Sequence, residues 1–279
     1  MTETGRQHLL VVGGANVDLV AHTAKLPRPG QTVLGDSFAE SNGGKGANQA
    51  VAAARLGMKV ARAAAVGGDR FGTALLDTLR VEGVDVADVR VTDRPTGVAI
   101  IVVDDQGENT IVVTPGANST LVVDHVDFTA AAAVLCQLEI PLPTVQAAAA
   151  RTTGLFCLNA SPMSPLPGSL LARCDLVIVN ESEYEEADGA LDSCPLLALT
   201  LGERGAVLLE HGREIARAAS PDVTVVDAVG AGDAFAAALV EGILGGRDRQ
   251  TALERACRAG ALAVSREGAV ASLPYVKEL

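Results

Sequence analysis

Aromatic residues are scarce: five Phe, two Tyr and no Trp, 3% of 279 residues, so the core must be built from Ala, Val and Leu. Basic residues are outnumbered, 22 Lys plus Arg against 34 Asp plus Glu, for a formal net charge of −12. That balance excludes nucleic-acid binding through a broad basic surface. No run of about 18 strongly apolar residues occurs, so no transmembrane helix and no membrane association are predicted. The start, Met1 to His8, is polar, and the first apolar run, Leu9–Val12, is too short for a signal-peptide core. A cytoplasmic location is the expectation. The five cysteines, Cys136, Cys157, Cys174, Cys194 and Cys257, are odd in number and form no C-x-x-C pair, so they read as small buried hydrophobes rather than a disulfide framework. The four histidines lack metal-ligand spacing, and no zinc site is predicted.

What is abundant is apolar: 48% of the chain, with charged residues at 20%, the composition of a globular protein. Short β-branched runs, Leu9–Val12, Val60–Val66, Ala133–Leu138, Leu155–Leu158, Leu176–Val179 and Leu196–Leu201, predict buried strands. Ala47–Leu56, Gly72–Val81, Thr144–Arg151 and Ala231–Leu244 predict helices between or after them. Strand–helix alternation with continuous apolar strands predicts an α/β fold with a mainly parallel sheet covered on both faces. Two stretches, about 19–40 and 97–114, break the rhythm. The second reads as two strands, Val98–Val103 and Thr110–Val113, around the turn Asp104 to Glu108. Together they predict a small β lid built from two insertions in one domain spanning 1–279, beside the sheet's carboxyl edge where open α/β folds bind ligands.

Four polar or glycine-rich segments carry the chemical signals. Gly43-Gly44-Lys45-Gly46-Ala47-Asn48-Gln49 precedes a helix. It fails as a Walker A loop because Gly46 follows the lysine, where Ser or Thr is needed, and no strand is predicted to feed it. Its glycines instead let backbone N–H groups approach a small polar ligand, with Lys45 and Asn48 as side-chain donors; a tight turn with a solvated lysine is the other reading. Asp227-Ala228-Val229-Gly230-Ala231-Gly232-Asp233 opens the helix Ala231–Leu244, so its amides make an anion cradle and Asp233 stands where a carboxylate would take a proton from an attacking hydroxyl. Complementing the helix dipole is the alternative role for Asp233.

Gly13-Gly14-Ala15-Asn16-Val17-Asp18 follows the first strand but does not form G-x-G-x-x-G, so a dinucleotide-binding dehydrogenase loses its main support. Asn16 and Asp18 there suit the hydroxyls of a polyol, or an Asx turn. Asn180-Glu181-Ser182-Glu183 and Thr200-Leu201-Gly202 end two predicted strands, a placement that fits a nucleotide–magnesium site and equally an ordinary helix start.

In this order and over nearly the whole chain, these segments resemble the ribokinase family of carbohydrate kinases. Gly43 to Ala53 is similar to the family's first signature, in the form typical of its ribose-phosphorylating members, and Asp227 to Phe235 to its second, D-x-x-G-A-G-D-x-F. Thr96-Gly97-Val98-Ala99, Gly107-Glu108-Asn109, Pro115-Gly116-Ala117-Asn118 and Gln137-Leu138-Glu139 are further matches. The resemblance implies a three-layer ribokinase-like fold and ATP-dependent phosphorylation of the terminal hydroxyl of D-ribose. It implies Asp233 as catalytic base, with Gly230, Ala231 and Gly232 in the anion hole. Asn16, Asp18, Gly44, Lys45, Asn48 and Glu139 would contact the sugar, and Ala99, Ile101 and Val113 would cover it from the lid. Asn180 and Glu183 would organise Mg2+ and phosphate, and Thr200 and Gly202 would contact ATP. A K+ activator site would use Asp227, Val229, Ala263, Arg266, Gly268 and Ser272, the last four lying in a segment that also reads as a plain helix end. A lysine ammonium is a poor base at neutral pH, so Lys45 is assigned to binding.

Apolar lid strands would leave edges and a face uncovered, so a homodimer joined lid to lid is expected, as the resemblance also implies. The chain departs from the family in two places: Tyr184 to Ala198 is short where a further full helix is usual, and Arg151 to Leu155 is trimmed. Alternatives are a relative acting on a nucleoside, fructose or a deoxy-sugar acid, or a sugar-binding relative without activity.

Overall fold

Along the chain, β1 (His8–Val12), β2 (Asn16–Thr23) and β3 (Gly35–Gly43) lead into α1 (Lys45–Arg55), followed by β4 (Lys59–Gly67), α2 (Arg70–Val81), β5 (Val89–Thr92), β6 (Gly97–Asp104) and β7 (Asn109–Thr114). Then come β8 (Ala133–Gln137), α3 (Leu142–Arg151), β9 (Leu155–Asn159), α4 (Gly168–Leu171), β10 (Leu176–Asn180), α5 (Glu181–Glu186) and β11 (Leu196–Thr200). A hairpin, β12 (Ala206–Glu210) and β13 (Arg213–Ala218), precedes α6 (Ala231–Leu244), α7 (Arg249–Val264) and α8 (Ala269–Ser272). This computed structural model describes residues 8–279; the polar start Met1 to His8 therefore lies, His8 apart, outside the described residues.

Nine strands form the central sheet in the order β13-β12-β11-β10-β9-β8-β1-β4-β5. All neighbours run parallel except β11/β12 and β12/β13. β1 shows why the strands are continuously apolar. Leu9 and Val11 enter one core and Leu10 and Val12 the other, because successive side chains point to opposite faces and both faces are covered. One face carries α1, α2, α6 and α7; the other carries α3, α4 and the segment 117–131, giving three layers. α6 is apolar on nearly every side because it packs against both α1 and α7, and Ala234, Ala236, Ala237 and Ala238 keep the approach close.

The second sheet has the order β3-β2-β6-β7, with β2 parallel to β6 and both outer pairs antiparallel. Its strands reach past the sequence breaks, starting at Asn16 and ending at Gly43. One expectation is corrected here: β3 does feed the Gly43–Gly46 turn, although it belongs to the edge of the small sheet and not to a parallel central strand. The P-loop reading still fails, on Gly46. Unforeseen in the sequence were the antiparallel β12–β13 hairpin and the sixteen-residue α7. The shortened stretch after β10 holds only the six-residue α5 before turns lead back to β11.

The candidate active site

The polar side chains converge where β1, β8 and β9 end and the helices α1 and α6 begin. Gly230 caps α6 with φ of 82°, a left-handed conformation that glycine adopts without strain, and the first-turn amides of Ala231, Gly232 and Asp233 follow it. Asp233 is only 7% exposed. One of its carboxylate oxygens accepts from Asn48 Nδ2 at 2.8 Å and the other from Gln49 Nε2 at 2.9 Å. Burial raises its pKa above the ordinary Asp value, opposed by the Lys45 charge and the two amide hydrogen bonds. This is a carboxylate held in place by two donors from α1 and placed in the first turn of α6.

Glu139, just beyond β8, accepts the Lys45 backbone N–H at 2.9 Å. Burial pushes its pKa up to about 7, with the Lys45 charge opposing and Asp233 adding to the rise. Asp18 on β2 is raised to about 6 by burial and by Asp233. Three acids thus share one pocket with Lys45. A carboxyl whose folded pKa exceeds its unfolded value binds its proton more tightly when folded, so stability declines as pH rises from 4.5 to about 7 for Glu139. Glu139→Gln is therefore expected to stabilise the protein at pH 8 by about 1–3 kcal/mol, a gain that fades toward pH 4.5. Urea unfolding across that range checks it; a wild type more stable than the variant at pH 8 would refute it.

The β ladder explains how the small sheet faces this pocket. Asp18 pairs with Ala99, Ala99 with Val113, and Val20 with Ile101, so Asn16, Asp18, Ala99, Ile101 and Val113 lie on one face. Ala99 is buried, Ile101 half-buried, and Val113 is 56% exposed. Asn16 Oδ1 accepts from Asn118 Nδ2 at 2.8 Å, and Asn118 also bonds both backbone groups of Ala15. Gly44 is needed at its position: φ is 88°, and a Cβ there would stand 2.7 Å from the backbone nitrogen of Asn16.

The remaining predicted residues form two further groups. Asn180 and Thr200 pair in register at the ends of β10 and β11, with Gly202 following at φ of 59°. Asn180 Oδ1 accepts from the Glu183 N–H at 2.8 Å and Glu183 Oε2 accepts from the Asn180 N–H at 2.9 Å, a capping box that starts α5. Arg204 reaches across to Glu181. In the other group, Asp227 accepts from the N–H groups of Val229 at 3.0 Å and Gly268 at 2.9 Å. The Arg266 N–H bonds the Ala263 carbonyl, and the Arg266 guanidinium pairs with Glu278. Ser272 lies against Gly230: a Cβ on that glycine would be 3.4 Å from Ser272 Oγ and 3.0 Å from the Ala269 carbonyl.

Sequence reasoning left several contributors unassigned. Gln49 Nε2 is shared between Asp233 and Asn159 Oδ1, its own oxygen accepts from Gln137, and Asn159 continues to the Ile178 carbonyl. Gln49, Gln137 and Asn118 stood within the quoted motifs, so their signal was present; Asn159 had none. Arg62 had a signal of another kind, an arginine within the otherwise apolar strand Val60–Val66.

The chain belongs to the pfkB family of carbohydrate kinases, whose family model matches residues 6–275. It is 34% identical to the ribokinase of Schizosaccharomyces pombe over 306 aligned residues, covering 98% of this chain and 96% of that protein. Its fold superposes on the ribokinase of Thermotoga maritima with a TM-score of 0.90 at 27% identity, covering 98% of this chain and 97% of the other. The structure of Arabidopsis thaliana ribokinase complexed with ribose and ATP matches with a TM-score of 0.87 at 29% identity, over 98% and 97% of the two chains. Among the described residues no helix is long and apolar enough to cross a membrane.

Proposed function

We propose that this chain transfers the γ-phosphoryl group of ATP to the 5-hydroxyl of D-ribose. The observation that carries the reading is Asp233, buried at the amide-lined start of α6 and oriented by Asn48 and Gln49 from the helix that follows the Gly-Gly-Lys-Gly turn. Asp233 takes the proton of the sugar hydroxyl as that oxygen bonds to the γ-phosphorus and the bond to the β-phosphate oxygen breaks, releasing ADP. The amides of Gly230, Ala231, Gly232 and Asp233 hold the charge that develops on the phosphoryl oxygens, since the protein's part in phosphoryl transfer is positioning and charge stabilisation. Asn16, Asp18, Glu139 and Lys45 bind the sugar hydroxyls, and Ala99, Ile101 and Val113 close over it. Thr200 and Gly202 contact the nucleotide.

Among the described residues no three His, Cys, Asp or Glu side chains cluster as a preformed metal site. Magnesium is commonly held by one or two protein oxygens together with substrate phosphates and water, and Asn180 and Glu183, at the start of α5, would supply those oxygens. When bound, magnesium neutralises phosphate charge. The set Asp227, Val229, Ala263, Arg266, Gly268 and Ser272 fits potassium, being one carboxylate with backbone carbonyls; the Arg266 guanidinium is engaged by Glu278, so only its carbonyl would serve. Abutting Gly230, an ion there would steady the anion cradle. Phe38, Ile100 and Val112 expose apolar surface on the face of the small sheet opposite Ala99 and Val113, which supports a homodimer joined through it. Sedimentation showing only monomer at micromolar concentration would refute that assembly.

The deciding experiment is ADP release from Mg-ATP with D-ribose, 2-deoxyribose, fructose and nucleosides, with and without potassium. Ribose-dependent turnover stimulated by potassium is the expected result. Turnover confined to another acceptor would move the specificity, and silence across the panel would leave a sugar-binding protein without activity.

A further inference from the structure

Arg62 is in the middle of β4 and completely buried, 0% exposed. Among the described residues no carboxylate forms an ion pair with it. Its guanidinium donates to backbone carbonyls instead: one nitrogen to Val11 and Ala63, each at 3.1 Å, and the other to Gly13 at 2.8 Å and Gly14 at 2.6 Å. Nε has no partner. Burial lowers its pKa to about 10, and it remains charged at neutral pH. A buried cation is costly, and an apolar residue of similar size would ordinarily serve a core better.

The two shorter bonds reach one turn. Gly13 and Gly14 form the turn that carries the chain from β1 to Asn16 and Asp18 on β2. The guanidinium fits because residue 46 has no side chain: a Cβ there would lie 2.5 Å from its terminal nitrogen. Gly46 immediately follows Lys45 in the first turn of α1. Gly14, whose carbonyl Arg62 holds, packs on Glu139 so closely that a Cβ at 14 would collide with the Glu139 carboxylate. That carboxylate in turn binds the Lys45 N–H. One guanidinium therefore braces the three segments that bring Asn16, Asp18, Lys45, Asn48 and Glu139 together.

We propose that Arg62 is a positioning residue for the acceptor site: without touching the sugar, it fixes the Gly13-Gly14 turn against the start of α1 so that the sugar-binding side chains share one geometry. This rests on the reading of that pocket as the sugar site. The nucleotide-side residues stand on β10 and β11, at least four strands from β4, a spacing of roughly 19 Å at about 4.8 Å per strand. Arg62 therefore acts on one substrate and not the other.

The test compares wild type with Arg62→Met, which keeps length but loses every donor, and Arg62→Lys, which keeps the charge and part of the bonding. In Arg62→Met the sugar KM is expected to rise by about 10-fold or more while the ATP KM stays within about two-fold and kcat at saturating sugar falls little. Arg62→Lys recovers part of the loss, and calorimetry with the sugar alone shows the same order of affinities without nucleotide. A mere core role would lower the melting temperature and leave the ratio of the two KM values unchanged, which would overturn the inference. If Arg62→Met does not fold, the ratio in Arg62→Lys decides. Wild-type inactivity on every sugar would overturn the kinase reading and leave this inference to the calorimetry, and absence of sugar binding by the wild type would overturn both. Wild-type turnover with an unchanged sugar KM in the variants would overturn this inference alone.

Discussion

Asp233→Asn is expected to lower kcat by about 10²–10⁴-fold, the usual worth of a general base in hydroxyl activation. The substitution keeps the shape and removes the proposed proton acceptor. It also turns one carboxylate oxygen into an N–H donor that faces a donor amide, a mismatch that would cost stability if nothing adjusted. Asn48 supplies the adjustment: its Oδ1 is buried without a partner, so rotation of that amide lets it accept from the new amide at position 233 while Gln49 continues to donate to the remaining oxygen. Folding should therefore survive, and loss of a carboxylate whose burial is costly offsets part of any packing change. Single-turnover and steady-state phosphotransfer measurements, with the melting temperature as a control, give the answer. Near-wild-type turnover would remove Asp233 from the chemistry.

The second large effect belongs to Gly44. With φ of 88° and ψ of 128°, its backbone lies in a region that side-chain-bearing residues rarely adopt, and an added Cβ would meet the backbone at Asn16 N, 2.7 Å away, and at the Gly14 carbonyl, 3.0 Å away. Backbone atoms of a packed turn cannot swing aside as a side chain would. Strain of about 1–3 kcal/mol from the dihedral and a similar sum from overpacking give Gly44→Ala an expected loss of roughly 2–6 kcal/mol. For a chain of this size that lowers the melting temperature by roughly 4–12 °C. Sugar KM should rise with it, because the same displacement separates Lys45 from Asn16. Gly57→Ala is the control: φ there is 92° but nothing lies within 4 Å of the added carbon, so only the dihedral strain remains. Equal melting temperatures for the two variants would show that the close approach at Gly44 is not what the site depends on.

The parts of the site legible in the sequence are those in which one short segment carries both a shape requirement and a chemical group. Gly230 and Asp233 lie within a single turn, as do Gly44, Lys45 and Asn48, and local spacing is enough to place such groups at a helix start. Gln49 shows the boundary of that reasoning. Its motif was visible, yet its work, one amide divided between Asp233 and Asn159, depends on residues 184 and 110 positions away along the chain. β12 and β13 were missed for a related reason. β13, Arg-Glu-Ile-Ala-Arg-Ala, mixes apolar and charged residues as suits the edge strand it is, and without it the short run Ala206–Leu209 of β12 has no visible hairpin partner. α7 interleaves Arg249, Arg255 and Arg258 with alanines, and its buried stripe becomes evident only against α6 and β13.

By itself the sequence determined the alternation that yields a parallel three-layer core, the two glycine-bearing helix starts, and the acidic, aromatic-poor composition. Those properties follow from period, backbone permissiveness and charge, all of which act over a few residues or over the whole chain at once. Only the tertiary structure decided that β3 delivers the chain to Lys45 from the small sheet, that three carboxyls share one pocket with raised pKa values, and that a buried arginine reaches the turn before Asn16. Burial, proximity of charges and hydrogen bonds between distant segments are set by strand order and register, and no local pattern encodes which strand will lie beside which.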